Sequence, residues 1–155
     1  MNFKGQVVFE FMIAVIFLVA IVFYVINYMN SGVYGMSVLF NRNIMENKAV
    51  AASDLLVKNK GVWTGTLPVN IGLADKRLVL NETKIQYLQS YCNSEYDGVL
   101  EKLGIKPYKA EIKIYNGSGY VLDCGKIIKN VTSAEVKRVV VSDKNTPLVL
   151  TVRVW

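Results

Sequence analysis

Glu10 is the side chain of this sequence whose setting most strongly indicates chemistry. It lies at the start of an apolar run, and residues 11–26 contain no charged or strongly polar side chain. An ionised carboxylate at such a place is costly unless a positive group neutralises it, so it is treated as functional by default. Lys4, Gly5 and Gln6 lie just upstream. Cleavage between Gly5 and Gln6 would create an α-ammonium on Gln6. In packed helices with an axial stagger, that charge would neutralise the Glu10 of a neighbouring chain.

The apolar run has the length of a membrane-spanning helix. A helix over residues 7–29 would reach ~35 Å at about 1.5 Å per residue, enough to cross the ~30 Å hydrocarbon layer. A buried core helix is disfavoured because the run would be hydrophobic on all sides in a small domain. A secretory signal peptide is disfavoured because the run is too long and no good small-x-small cleavage site follows it. An uncleaved anchor fits better, with Lys4 inside and the larger C-terminal part outside.

Composition removes most catalytic and metal-binding chemistry. Histidine is absent and only two cysteines occur, which excludes histidine-based catalysis, histidine metal sites and Cys/His zinc fingers. The sequence has no Gly-rich phosphate loop, no Gly-x-Ser-x-Gly elbow and no acidic cluster with metal-ligand spacing. We therefore expect a protein that is not an enzyme and has no metal or cofactor.

The net charge of +6 is spread without a contiguous basic stripe, so no specific nucleic acid is indicated.

Cys92 and Cys124 are the only cysteines, and their interpretation depends on the compartment. In an exported domain the pair is expected to form one structural disulfide, whereas in the cytosol both would be small buried thiols. A bridge would stabilise the fold by ~3–4 kcal/mol if it acts through chain entropy.

Three Asn-x-Ser/Thr sequons modestly favour export and are candidates for glycosylation. They begin at Asn81, Asn116 and Asn130.

The sequence after the apolar run predicts that the same helix continues in amphipathic form. We expect one helix from about Gln6 to Asn59, with Gly61 at its C-cap. Residues 27–35 contain Asn and Gly, and each Gly costs ~1 kcal/mol in a helix interior. A kink is therefore expected there, and an ordinary loop is the alternative. The apolar positions at helical spacing are Met36, Phe40, Ile44, Ala51 and Leu55.

The middle of the chain predicts an irregular connection followed by two short helices. Residues 61–76 contain turn residues and short extended pieces. A helical pattern starts at Glu82, and a second short helix is expected over residues 95–103. The candidate N-cap residues and stop signal of that second helix are Asn93, Ser94 and Gly104.

The C-terminal third predicts two β-hairpins. Apolar and polar residues alternate over 110–114, a turn signal follows at 116–119, and residues 120–124 return. A second hairpin joins 136–142 to 148–155. The predicted fold is α+β, with a long N-terminal helix whose amphipathic half covers one face of a small antiparallel sheet of about four strands.

The stretch Lys4-Gly5-Gln6-Val7-Val8-Phe9-Glu10-Phe11, followed by an aliphatic helix, resembles the start of a type IV pilin-like precursor. Gln6 preceded by Gly5 is similar to the archaeal form of that leader, the class III signal peptide. The resemblance implies cleavage after Gly5 by a membrane aspartic prepilin peptidase. It also implies that the helix is first a membrane anchor and then the core of a surface filament, with Glu10 as the glutamate that sets subunit register.

The resemblance further implies four segments: a cleaved leader (1–5), a transmembrane and filament-core helix (6–29), its amphipathic continuation (30–60) and an extracellular head domain (61–155). The implied function is that of a major or minor pilin, first in the cell membrane and then in an extracellular filament. The implied partners are other pilin subunits, the prepilin peptidase, the pilus assembly ATPase with its membrane platform, and membrane lipid before assembly. The competing hypothesis is a single-pass surface protein or adhesin that does not polymerise.

Overall fold

A computed structural model describes the backbone of residues 3–126 and 131–155. The chain forms two compact units, one up to Asn41 and one from Arg42 to Trp155. Helix α1 (Phe3–Lys58) begins in the first unit and ends in the second. The second unit, called the head unit below, therefore contains the last part of α1 in addition to the head domain that the sequence predicts.

Helix α1 continues through the segment for which the sequence allows a kink or a loop. The loop alternative at residues 27–35 is wrong, because these residues are helical, and the helix assignment has no break there. Gly32 and Gly35 each cost ~1 kcal/mol relative to alanine in a helix interior. This cost does not end the helix, which runs through both positions. The predicted C-terminal end is confirmed to within one residue, because α1 ends at Lys58. Gly61, the predicted C-cap, lies three residues beyond that end and has a φ of +62°.

The first unit contains the apolar part of α1. The segment Val7–Gly32, 26 residues, is by length and composition able to cross a membrane. Its side chains are exposed in the isolated chain. A helix that is hydrophobic on all sides is typical of a buried or membrane-spanning segment.

In the head unit, α1 buries one face in the core, but not the face that the sequence predicts. Ala51 is exposed and Leu55 is only partly buried, so the predicted stripe is wrong by one position. Apolar residues occur at both phases of this segment, so the sequence pattern alone does not select the buried face. The buried residues, at spacings of three and four, are Met45, Ala49, Ala52 and Leu56.

The elements after α1 are β1 (Val62–Thr64), β2 (Leu67–Asn70), β3 (Ala74–Lys76), β4 (Val79–Leu80), α2 (Glu82–Ser94), α3 (Tyr96–Lys102), β5 (Ala110–Tyr115), β6 (Tyr120–Cys124), β7 (Ala134–Ser142) and β8 (Pro147–Val154). In the described residues, β1 and β2 form a two-stranded sheet. The other strands form a six-stranded sheet in the order β3-β4-β7-β8-β5-β6. All neighbours in it are antiparallel except β4 and β7, which are parallel.

The prediction of about four strands in an antiparallel sheet is therefore wrong in number and in type, whereas the α+β class is confirmed. The missed strands of the main sheet, β3 and β4, have three and two residues, too few to show an alternating pattern. One core lies between the helices and one face of this sheet. Its fully buried side chains include Leu56, Leu88, Leu100, Ile112 and Leu150.

Both predicted hairpins are confirmed. In the β5–β6 turn, the side-chain oxygen of Asn116 accepts hydrogen bonds from the backbone N–H groups of Ser118 and Gly119, at 3.1 and 3.0 Å. In the β7–β8 turn, the backbone N–H of Ser142 donates to the carbonyl of Thr146 at 2.8 Å. Asn and Ser favour turns for this reason, because their side chains and backbone close short hydrogen-bonded rings.

The two predicted short helices are present, and the predicted stop of α3 is confirmed, because its C-cap is Leu103 and Gly104 follows with a φ of +68°. Asn81 is the N-cap of α2, and its side chain accepts a hydrogen bond from the backbone N–H of Lys84 at 3.2 Å. The predicted caps of α3, Asn93 and Ser94, are wrong because both residues still belong to α2. Glu95 precedes α3 instead and makes no side-chain capping hydrogen bond.

Candidate functional site: the N-terminal segment and the disulfide-bonded head unit

The candidate processing and register residues lie in the first turns of α1. Lys4, Gly5 and Gln6 follow its first residue, Phe3. Glu10 is four residues beyond Gln6, so the two positions share one helix face and lie about 6 Å apart along the axis. The side chain of Glu10 is exposed, and so are the apolar side chains next to it. A free amine on Gln6 would therefore lie about one helical turn from this carboxylate.

Cys92 and Cys124 form a disulfide that joins α2 to β6, as the exported-domain interpretation predicts. Their Cα atoms lie 5.8 Å apart, within the usual range for a disulfide. Both residues are buried. The bridge therefore lies in the core of the head unit, where it has a structural role rather than that of an accessible redox group.

A polar contact that the sequence analysis missed fixes α1 to β7. Arg138 donates hydrogen bonds to a carboxylate oxygen of Asp54 at 3.0 Å and to the hydroxyl of Ser53 at 3.3 Å. Lys58 donates to the other Asp54 oxygen at 2.6 Å. The hydrogen bond from Lys58, together with the charges of Lys58 and Arg138, lowers the pKa of Asp54 below its ordinary value. In the sequence, Arg138 is 84 residues from Asp54 and 85 residues from Ser53, so no local pattern reveals the contact.

The two described sequons lie in different local structures. Asn116 is at the β5–β6 turn, next to the exposed Gly117 and Ser118. Its side-chain oxygen holds the turn, and its Nδ2, the atom that a glycan would modify, takes no part in those two bonds. Asn81 is instead the N-cap of a helix. Asn130 lies outside the described residues. The Asn116 sequon therefore has the surface-loop setting that is usual for glycosylation.

The part of the chain that the structure describes has no group of three or more His, Cys, Asp or Glu side chains that could hold a metal ion. A concave area lies between α2 and the two hairpin turns. Its acidic residue, Glu82, forms an ion pair with Lys144. The remaining lining side chains contain neither a nucleophile with a base nor a phosphate cradle: Ile85, Gln86, Asn116, Val121, Thr146 and Leu148.

No family model, curated protein sequence or solved structure matches this chain. Its functional interpretation therefore rests on its own residues. The two features that carry it are Gly5, Gln6 and Glu10 in the first turns of a largely apolar helix, and a disulfide-bonded α+β head unit.

Proposed function

We propose that this chain is a structural subunit, a major or minor pilin, of a type IV pilus-like archaeal surface filament. The observation that carries the proposal is the position of Glu10, one helical turn after Gln6 and within the first turns of an apolar helix that can span a membrane. Gly5 and Gln6 supply the cleavage site that the resemblance to class III signal peptides implies. The α+β head unit, with part of the long helix packed in its core, is compatible with a pilin head group.

Before processing, the apolar part of α1 lies in the membrane, with Lys4 on the inner side. The prepilin peptidase cuts between Gly5 and Gln6 and frees an α-amine. That amine is largely protonated at neutral pH, since the ordinary pKa of an α-amino group is about 7.7–8.0. Processing thus removes the leader, including Lys4. It leaves a new positive charge on Gln6, one helical turn from Glu10.

Assembly then transfers the helix from lipid into a bundle of like helices, driven by the pilus ATPase and its membrane platform. Van der Waals packing holds such helices together, because lipid is as apolar as their side chains. A stagger that brings an amine close to the carboxylate of Glu10 lets the two opposite charges neutralise each other in a low-dielectric setting. We propose that this attraction favours such staggers over the others, so that Glu10 sets the register.

The head unit lies outside the cell in this proposal. The disulfide between Cys92 and Cys124 supports that location, because disulfides persist in oxidising compartments. The sequon at Asn116 supports the same side of the membrane, because such sites are glycosylated on exported domains.

The mature N-terminus tests the proposal. Sequencing of the protein from membranes and from sheared surface filaments should begin at Gln6. The variant Gly5→Leu should keep its leader and migrate as a heavier band. Gly32→Leu is the matched control, because a Cβ at Gly32 meets no atom within 4 Å, and it should be processed normally. A mature protein that still begins at Met1 would contradict the proposal and support a single-pass surface protein that does not polymerise.

A further inference from the structure

The face of the six-stranded sheet that points away from the core, called the open sheet face below, carries an ordered row of apolar side chains. Val139 and Tyr120 in this row are 75% and 63% exposed. Exposed apolar groups that are contiguous indicate an interaction site more strongly than scattered ones do. The strand register places four residues side by side in the row, one from each of β7, β8, β5 and β6: Val139, Val149, Tyr115 and Tyr120.

Two rows of polar side chains lie next to the apolar row on the open sheet face. The same strand register that aligns the apolar row aligns them, at steps of two residues along β5, β7 and β8 and of three along β6, where the pairing with β5 is irregular. A ligand lying across the strands would therefore meet apolar groups along one side and polar groups along the other. The nearer polar row is Lys137, Thr151, Lys113 and Asp123, and the farther is Glu135, Arg153 and Glu111.

The charges in the polar rows pair with one another. The Lys113 ammonium lies 2.8 Å from Glu111 and 3.8 Å from Asp123. Lys137 lies 3.0 Å from Glu135. In the farther row, Arg153 forms ion pairs with both Glu135 and Glu111. Three cations and three carboxylates therefore neutralise each other, and the face presents alternating hydrogen-bond donors and acceptors with little net charge.

The aromatic end of the apolar row is held in place before any ligand arrives. The rings of Tyr115 and Tyr120 meet edge to face with centroids 5.6 Å apart. The Tyr115 hydroxyl donates a hydrogen bond to the carbonyl of Gly117 at 2.6 Å. The ammonium of Lys113 lies 5.3 Å from the centroid of the Tyr120 ring. These contacts lower the entropy that the side chains would lose when a ligand binds.

We propose that the open sheet face binds a neutral glycan chain that lies across the strands. An uncharged sugar has apolar C–H surfaces, which fit the apolar row, and hydroxyl groups that both donate and accept hydrogen bonds, which fit the polar row beside it. The apolar row crosses three inter-strand gaps of about 4.8 Å each, roughly 14 Å in all, which suits a short oligosaccharide. This binding does not depend on filament assembly, so it is tested separately from the proposed function.

The charge pattern distinguishes a glycan from other partners. A nucleic acid requires an excess of positive charge to neutralise its phosphates, and the open sheet face has none. A second copy of the chain would have to bury the exposed parts of five charged side chains, since the sixth, Glu111, is already buried. The cores of protein interfaces are depleted of charge. Sugar hydroxyls can instead keep hydrogen bonds to those charges, which are among the stronger hydrogen bonds in proteins.

Co-sedimentation of the full-length protein with insoluble polysaccharides tests this proposal. The protein is kept in a detergent without a sugar head group and mixed with cellulose, chitin, xylan or mannan. We expect retention on at least one of them, weakened tenfold or more in Tyr120→Ala and in Val139→Asp. Tyr87→Ala is the matched control, because Tyr87 lies on α2, outside the open sheet face, and it should bind like the wild type. Thermal unfolding of each variant verifies that the head unit is folded.

Three results would overturn the proposal. The first is that none of the four polysaccharides retains the wild-type protein. The second is that folded Tyr120→Ala and Val139→Asp bind as tightly as the wild type. The third is that the wild type self-associates without any glycan and Val139→Asp abolishes that association, which would identify a second copy of the chain as the occupant.

Discussion

The side-chain amide of Gln89 pairs with the backbone of Asp123 as a neighbouring β-strand would. The N–H of Asp123 donates to Oε1 of Gln89 at 2.8 Å, and Nε2 of Gln89 donates to the carbonyl of Asp123 at 3.1 Å. Asp123 lies in β6, at an edge of the six-stranded sheet. Edge strands present hydrogen-bonding groups to which another chain can pair. Gln89, with the Cys92–Cys124 disulfide beside it on α2, closes this edge.

Replacement of Gln89 should therefore open the β6 edge. In Gln89→Ala we expect the free energy of unfolding to fall by about 1–2 kcal/mol, because two exposed hydrogen bonds worth about 1 kcal/mol each are lost. The backbone amide of Asp123 should exchange its hydrogen faster, and sheet-mediated aggregation should rise. Hydrogen exchange followed by mass spectrometry measures the exchange rate of that amide, and light scattering measures the aggregation.

Gln89→Glu is the matched control for that experiment. It keeps an acceptor for the N–H of Asp123 but loses the donor to the carbonyl, so its exchange rate should lie between those of the wild type and Gln89→Ala. Equal exchange rates in all three proteins would contradict the role of Gln89 as an edge cap.

Loss of the disulfide should destabilise the head unit without changing the membrane segment. Replacement of both Cys92 and Cys124 by serine should lower the free energy of unfolding by about 3 kcal/mol, because the bridge restricts the unfolded chain. Denaturant titration measures this change, and reduction of the wild type with dithiothreitol should reproduce it. The same unfolding midpoint with and without reductant would contradict the prediction.

Removal of the Glu10 charge should separate membrane insertion from assembly. In Glu10→Ala we expect normal insertion, because the apolar segment Val7–Gly32 is intact, but few or no filaments, because a buried amine would lack its partner. Membrane fractionation and electron microscopy of sheared filaments measure the two effects. Glu46→Gln, an exposed position farther along α1, should assemble normally. Abundant normal filaments from Glu10→Ala would contradict the register role.

Short-range patterns predicted the local structure of this chain well. The turn around Asn116 was predictable because Asn and Gly close it through their own side chain and backbone. The α2 pattern was predictable because Ile85, Leu88 and Cys92 recur at helical spacing and are all buried. The candidate site at Gln6 and Glu10 also depends only on neighbours in the sequence, so its residues could be named before the fold was known.

Features that depend on distant partners were not predictable. The predicted buried face of α1 was wrong by one position. Residues 51 and 55 are as apolar as residues 52 and 56, so only the packing of the core decides which pair is buried. The parallel pairing of β4 with β7 joins Val79 to Val141, and two residues of β4 carry no signal of it. The open sheet face likewise depends on the register of four strands, which alternation within one strand cannot supply.

The ion pairs of Asp54 should contribute a pH-dependent term to the stability of the head unit. The hydrogen bond from Lys58 and the nearby Lys58 and Arg138 charges lower the pKa of Asp54 from its ordinary value of 3.8. A carboxyl group whose pKa is lower in the folded state stabilises the fold when it is ionised, above its ordinary pKa. That contribution is lost as the pH falls through the lowered pKa. Because the side chain of Asp54 is 33% exposed, screening limits it to less than about 1 kcal/mol.

Asp54→Asn tests this linkage. At neutral pH the variant should be slightly less stable than the wild type, and the difference should shrink as the pH falls from about 5 to about 2, because the wild type then loses the charge that the variant never has. Urea titrations across this range measure the free energy of unfolding of both proteins. Asp75→Asn, at an exposed position on β3, controls for the general loss of an acidic group. A stability difference between Asp54→Asn and the wild type that stays constant over the whole range would show that the charge of Asp54 is not what fixes α1 to β7.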